Sequence, residues 1–218
     1  GIVLISVLII QNTNSAGGKV QLVVLVGSLL WLSFLKQLNF KLALTGVIIL
    51  FVFAISGTII VVENYETIIV DILNKDMTLN GRTPLWTGLM VAIAHRPFLG
   101  YGYHGFWQHW REENNPAAIY ATSAYGWVAH HAHNGFIDLA LYMGLIGLVL
   151  FSISLIKNIV LGVLYLISND SLESALPLGI MTIIIVVNIS LSQLMDVQPL
   201  WVYYVMISVR LSLDANQN

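Results

Sequence analysis

Charge is what this sequence has least of. Only 9% of its 218 residues are charged, against about a quarter in an ordinary soluble domain. A chain so poor in charge cannot cover its surface with solvated groups, so a lipid bilayer must act as part of its solvent. The other side of that deficit is 57% hydrophobic residues and a mean hydropathy of +0.82. Basic excess is missing too: nine Lys and Arg against eleven Asp and Glu give a net charge of −2. Nothing there points to nucleic acid as a partner. Cysteine is absent altogether, which excludes disulfides and thiol chemistry. The chain begins Gly-Ile-Val-Leu, already inside an apolar run and without a basic n-region. That pattern is not a signal peptide. It reads instead as the C-terminal portion of a longer protein, its first span truncated.

What is present is a series of long apolar runs. Gly1–Ile10 reads as the tail of one span and Gln11–Lys19 as a polar turn. Val20–Leu35 is the next apolar run, followed by Lys36 and Lys41. Leu42–Val62 gives 21 residues without a charge, enough to cross about 30 Å of hydrocarbon at about 1.5 Å per residue. Gly135–Ile156 is a further span, closed by Lys157. Asn158–Ile167 is too short to cross and fits an interfacial helix or an extension of the preceding one. Ala175–Leu191 and Leu200–Val209 follow, the latter closed by Arg210. Backbone inside lipid must satisfy itself, so the spans are helices. The expected fold is therefore all-α: a polytopic membrane helix bundle with a large extracytoplasmic loop containing short helices. Residues 1–62 and 134–218 hold the transmembrane helices, the second block with a short cytoplasmic tail. Residues 63–133 form the loop. If the spans alternate, Lys36, Lys41, Lys157 and Arg210 share one side and Lys19 alone opposes them, so positive charge places the loop outside the cytoplasm.

The loop is where polar chemistry collects. All six histidines lie there, at 95, 104, 109, 130, 131 and 133, with Arg82, Arg96 and Arg111. Thr83 and Pro84 are a cap and first turn for a helix over Leu85–His95, which Pro97 ends. Arg82 then stands beside free backbone N–H groups at a helix start, a plausible diphosphate clamp or a solvated Arg next to a cap.

Two patterns in the loop promise more than they carry. Gly100-Tyr101-Gly102-Tyr103-His104-Gly105 satisfies G-x-G-x-x-G, but a dinucleotide site needs a strand before it and a helix after it. A tight loop at the membrane surface explains it better, with Tyr101, Tyr103, Phe106, Trp107 and Trp110 as interfacial aromatics. His130-His131-Ala132-His133 invites a zinc reading. Consecutive histidines point in different directions on any regular backbone, and a catalytic zinc recruits ligands from separated elements. No metal and no cofactor is expected.

His133 differs from the others in its place. Asn134 is a good helix cap and Gly135 starts a span, so His133 lies at a helix's positive end. That end disfavours imidazolium and attracts an anion. A neutral base beside an anion site is what transfer onto a hydroxyl requires.

His133-Asn134, nine residues, then Gly144-Leu145-Ile146-Gly147 resembles the diagnostic pattern of the O-antigen ligase and Wzy-type polymerase family of bacterial envelope enzymes. Upstream, Gly81-Arg82 with Trp86, then Arg96-Pro97 and Gly100-Tyr101-Gly102, resemble that family's other marker. The likeness covers roughly residues 10–150. It implies a multi-pass protein of the bacterial inner membrane that moves a glycan from an undecaprenyl-diphosphate carrier to an acceptor hydroxyl. The acceptor would be lipid A core or a growing polysaccharide. By the same resemblance His133 is the base and Arg82 stabilises the leaving diphosphate, without a metal. Arg96, Asn134, Tyr101 and Tyr103 would line the substrate site. Family members tend to carry an arginine in a turn ahead of an apolar span; here that stretch is Asn14-Ser15-Ala16-Gly17-Gly18-Lys19. Ser15 and Lys19 would take its place, Lys19 as a point cation without a bidentate fork.

A reading from another class is a non-enzymatic transporter or flippase-type domain for lipid-linked glycans, which would need functional polar groups within spans. Asp138, Asn188, Gln193 and Asp196 are the candidates.

Overall fold

Runs of apolar residues without proline or charge form helices here, as lipid demands. The computed structural model of the chain describes residues 16–63, 82–122, 128–196 and 198–216. Among them are helices α1 (Ala16–Leu35), α2 (Phe40–Glu63), α3 (Arg82–His95), α4 (Pro116–Tyr120), α5 (Gly135–Ser168), α6 (Leu176–Ser190) and α7 (Pro199–Ala215). Short 3-10 turns occupy His109–Asn114 and Leu172–Ala175, and the described residues contain no strand beyond one isolated bridge, Thr122 to Val128. The fold is all-α, and the apolar helices are those of a membrane protein. Phe40–Gly57 and Gly135–Ser168 are long and apolar enough to cross a bilayer. The segment Asn158–Ile167 is the extension of α5 rather than a separate interfacial helix. Lys157 consequently lies inside a continuous helix instead of closing one.

The chain divides into two units. The first comprises Gly1–Gly57, Lys157–Val187 and Val202–Asn218. Its helices meet through small residues and a few polar ties. Gly46 of α2 lies under Leu35 of α1, and Gly162 of α5 faces Leu178 of α6. Trp31 Nε1 donates to Gly46 O at 3.0 Å, and Asn158 Nδ2 to Ser208 Oγ at 2.6 Å. Close backbone approach at small residues is how helices gain contact when lipid supplies no hydrophobic drive. Val23, Leu30 and Phe53 remain exposed on its helices, as expected of side chains whose solvent is hydrocarbon.

The second unit comprises Thr58–Ile156 and Asn188–Trp201 and holds the loop. Its core is Leu89, Ala92, Phe106, Trp107, Ala117, Ala121, Ala129 and Ala132 packed on Leu141 and Tyr142 of α5. The alanines let elements approach closely; a Cβ at Gly88 of α3 would collide with Tyr120 O at the end of α4. Asn115 ties this core together, its Oδ1 accepting Ala117 N as the cap of α4 and Gln108 N from the turn before, both at 3.1 Å. The loop therefore has a hydrophobic core of its own. Phe106 and Trp107, read from the sequence as interfacial aromatics, are buried in that core, while Tyr103 and Trp110 are exposed.

Candidate functional site

The site is built around a break in α5. Gly144 has φ 65° and ψ −168°, a region essentially closed to residues with a Cβ. A break in a helix strands the last carbonyls before it and the first N–H groups after it. Here the loop Arg96–Gly102 takes both sets. Tyr101 N donates to Leu141 O at 2.7 Å and Gly102 N to Tyr142 O at 3.0 Å. In return Leu145 N donates to Pro97 O at 2.7 Å and Ile146 N to Phe98 O at 3.4 Å. The fit leaves no room for side chains: a Cβ on Gly100 (φ 63°) would press on Leu141 O and Gly144 N, and one on Gly144 would collide with Phe98 O. The motif's second glycine, Gly147, accommodates Met143. Two sequence patterns 40-odd residues apart thus describe one docking event. The expected tight loop is there, with Gly100 and Gly102 both at positive φ.

His133 stands at the other end of the first segment of α5. It is half-buried, in the left-handed region at φ 54°, and its ring lies 4.0 Å from that of His131. Asn134 caps the helix as expected, its Oδ1 accepting Phe136 N at 3.0 Å and Ile137 N at 3.2 Å. Its Nδ2 donates to Ile189 O at 3.3 Å. The amide is thus engaged on both sides, which fixes the residue after His133. On the residue before it, Ala132 O accepts Trp86 Nε1–H at 2.8 Å. Trp86 lies about one turn along α3 from Arg82, so the helix opened by Arg82 is tied to the backbone preceding His133. Helix α3 begins at Arg82 itself, which puts Thr83 within the helix instead of at its cap.

The remaining expected site residues are distributed around the docked loop. Arg96 is exposed, its guanidinium 4.8 Å from the centroid of the Tyr101 ring, within cation–π range. Tyr101 is half-buried and donates to Ala92 O at 3.0 Å. Burial first, and then Tyr120 beside it, push its phenol above the usual tyrosine value. Tyr103 is exposed and clusters with His104 and with Tyr142 of α5, at ring distances of 4.4 and 5.8 Å. Lys19 falls on α1, in the first unit. Ser15 lies outside the described residues, as does Gly81.

The three histidines of the run do not converge on one point. His130 stacks on His109 at 4.1 Å, while His131 pairs with His133. No group of three metal-ligating side chains occurs among the described residues. Desolvation, and then the neighbouring His130, hold His109 below the ordinary imidazole value.

Two polar residues suited to transport are committed to the fold. Asn188 Oδ1 accepts Gln193 N at 2.8 Å and lies against Gly135, where a Cβ would collide with it. Asp138 accepts Trp107 Nε1–H and Ala132 N–H. Its charge was visible in an apolar helix, but its partner, 31 residues upstream, was not.

Comparison with known proteins identifies the family. The family model described as O-Antigen ligase matches residues 1–152, and the chain belongs to that family of bacterial membrane proteins. Within it, the chain is 37% identical over 91 residues to the exopolysaccharide production protein ExoQ of Rhizobium meliloti (strain 1021). The match covers 41% of this chain and only 20% of that relative. No solved structure matches the chain.

Proposed function

We propose that the chain carries the active site of a glycosyltransferase of cell-surface polysaccharide biosynthesis, using a glycan linked to undecaprenyl diphosphate as donor. The observation that carries this reading is the Trp86–Ala132 hydrogen bond, which couples the start of α3 to the backbone at His133. In the reaction His133 takes the proton of the acceptor hydroxyl as its oxygen attacks the anomeric carbon. The bond from that carbon to the diphosphate oxygen breaks, and the lipid diphosphate leaves with the electron pair. A single displacement of this kind inverts the anomeric centre. Arg82 meets the charge on the leaving group, assisted by Lys19 and Ser15, and fixed cations make the diphosphate a competent leaving group without a metal. Arg96, Tyr101 and Tyr103 line the approach, and Asn134 serves by holding His133 in place.

The topology proposed with this reaction places residues 63–133 outside the cytoplasm, between the helices of 1–62 and those of 134–218, in the bacterial inner membrane. The acceptor is a hydroxyl of lipid A core or of a growing polysaccharide. The test is glycan transfer by the full-length protein in membranes, with release of undecaprenyl diphosphate as the readout. His133→Ala should lower the rate by ~10²–10⁴, the usual worth of a general base. Undiminished release in that variant, or loss of activity on thorough chelation, would overturn the mechanism. Movement of the lipid-linked glycan without release of diphosphate would favour a transporter.

A further inference from the structure

Asp138 is 2% exposed, one turn into α5. A buried carboxylate is expensive unless its oxygens are met by donors. Here Trp107 Nε1–H reaches Oδ1 at 2.8 Å, and Ala132 N–H reaches both oxygens at 3.2 and 3.3 Å. The first turn of a helix also favours negative charge. The residue so anchored on its N–H is the one whose carbonyl Trp86 holds.

His133 comes next along the chain, and its conformation needs holding. A non-glycine residue at φ 54° is strained, and such strain persists only where the surroundings over-determine it. Those surroundings are now identifiable. On one side Ala132 is pinned through its N–H by Asp138 and through its carbonyl by Trp86. On the other, Asn134 is pinned by its own cap and by Ile189 O. Of these clamps only Asp138 brings a titratable group. The titratable groups within its electrostatic reach are Tyr142 and His131, and His131 is the ring packed on His133.

We propose that Asp138 is the positioning residue of His133: it fixes the backbone that presents the imidazole, without touching substrate. This rests on the glycosyl-transfer reading above. The experiment uses the full-length protein in membranes with a lipid-linked donor, and has two readouts. One is kcat and KM for the donor; the other is the rate at which diethylpyrocarbonate modifies His133, followed by mass spectrometry with exposed His95 as internal reference. In Asp138→Asn an amide N–H faces the Ala132 N–H, so kcat should fall by roughly 10²-fold, the scale of a misplaced catalytic group. KM should stay near wild type, and His133 modification should change relative to His95. Asp138→Glu should recover part of kcat. Wild-type kcat and labelling in Asp138→Asn overturn the proposal, and so does a raised KM with unchanged kcat, which would mean substrate contact. If Asp138→Asn does not accumulate, Trp107→Phe carries the test. It removes one donor from the carboxylate and should lower kcat about fivefold, one hydrogen bond's worth; unchanged kcat and labelling there overturn it. Transfer surviving His133→Ala, alongside altered His133 labelling in Asp138→Asn, removes His133 as the base and leaves the positioning role standing; no release of lipid diphosphate by the unsubstituted protein is what sinks the glycosyl-transfer reading.

Discussion

The two segments of α5 on either side of Gly144 both read as apolar and live in different surroundings. Before the break, Leu139, Ala140, Leu141 and Tyr142 are all buried, Leu141 and Tyr142 within the core that the loop forms. After it, Leu145, Ile146, Val149, Leu150, Ile153 and Ile156 are exposed, facing what would be hydrocarbon. A helix hydrophobic all round is either buried in protein or spans a membrane, and α5 does one and then the other. Apolar sequence says that water is excluded; it does not say whether protein or lipid excludes it. The stretch from Leu145 to Ser168 suffices for a bilayer crossing by itself at about 1.5 Å per residue.

Removing the break should erase that difference, with the largest effect. Gly144→Ala demands a conformation worth roughly 1–3 kcal/mol of strain and sets a Cβ against Phe98 O. Overpacking adds a similar amount. Thermal unfolding of the full-length protein in detergent should show the second unit loosened, with glycan transfer lost; an unchanged melting profile would mean that the break is dispensable. The contrast in surroundings can be read directly, since this sequence has no cysteine of its own. Val149→Cys should react with a membrane-embedded thiol reagent and Leu139→Cys should not. Equal labelling would break the comparison.

Smaller effects sharpen it. A polar tie at the head of the enclosed segment is the Trp86–Ala132 hydrogen bond, and Trp86→Phe deletes it. Leaving Ala132 O without its donor should cost about 1–3 kcal/mol, measurable as a lower unfolding temperature; no change would mean that water replaces the indole. Smallest is a pH effect. His109 is held below its ordinary value of 6.5, chiefly by desolvation, so the unfolded chain binds more protons than the folded one near and below that pH. Stability of the loop unit should therefore fall as pH drops through about 6.5. His109→Gln should flatten that dependence, and an equally steep fall in the variant would place its origin elsewhere.

Much of this was legible in the residues. Charge-free runs marked α1, α2 and α6, Pro97 marked the end of α3, and Asn134 marked the start of α5, because each is a local signal. The break at Gly144 was not legible, since glycine inside an apolar run is ordinary in membrane helices. Its partner loop lies more than 40 residues away. Trp107 and Phe106 were misassigned to the interface for a related reason: an aromatic near a membrane has two apolar destinations. At the site, the order of Arg82, His133 and Gly144 along the chain could be read, but Asp138 gives no local hint of what it holds.

The docking of Arg96–Gly102 onto the broken helix also bears on how the protein is made. Four backbone groups of the break have no partner until that loop reaches them, and orphaned backbone groups in lipid cost several kcal/mol each. The loop is synthesised first and must wait, folded or nearly so, for a helix made 40-odd residues later. Insertion of α5 and docking of the Arg96–Gly102 loop are therefore coupled through these four hydrogen bonds. A chain whose loop lags leaves the open ends of a helix without partners.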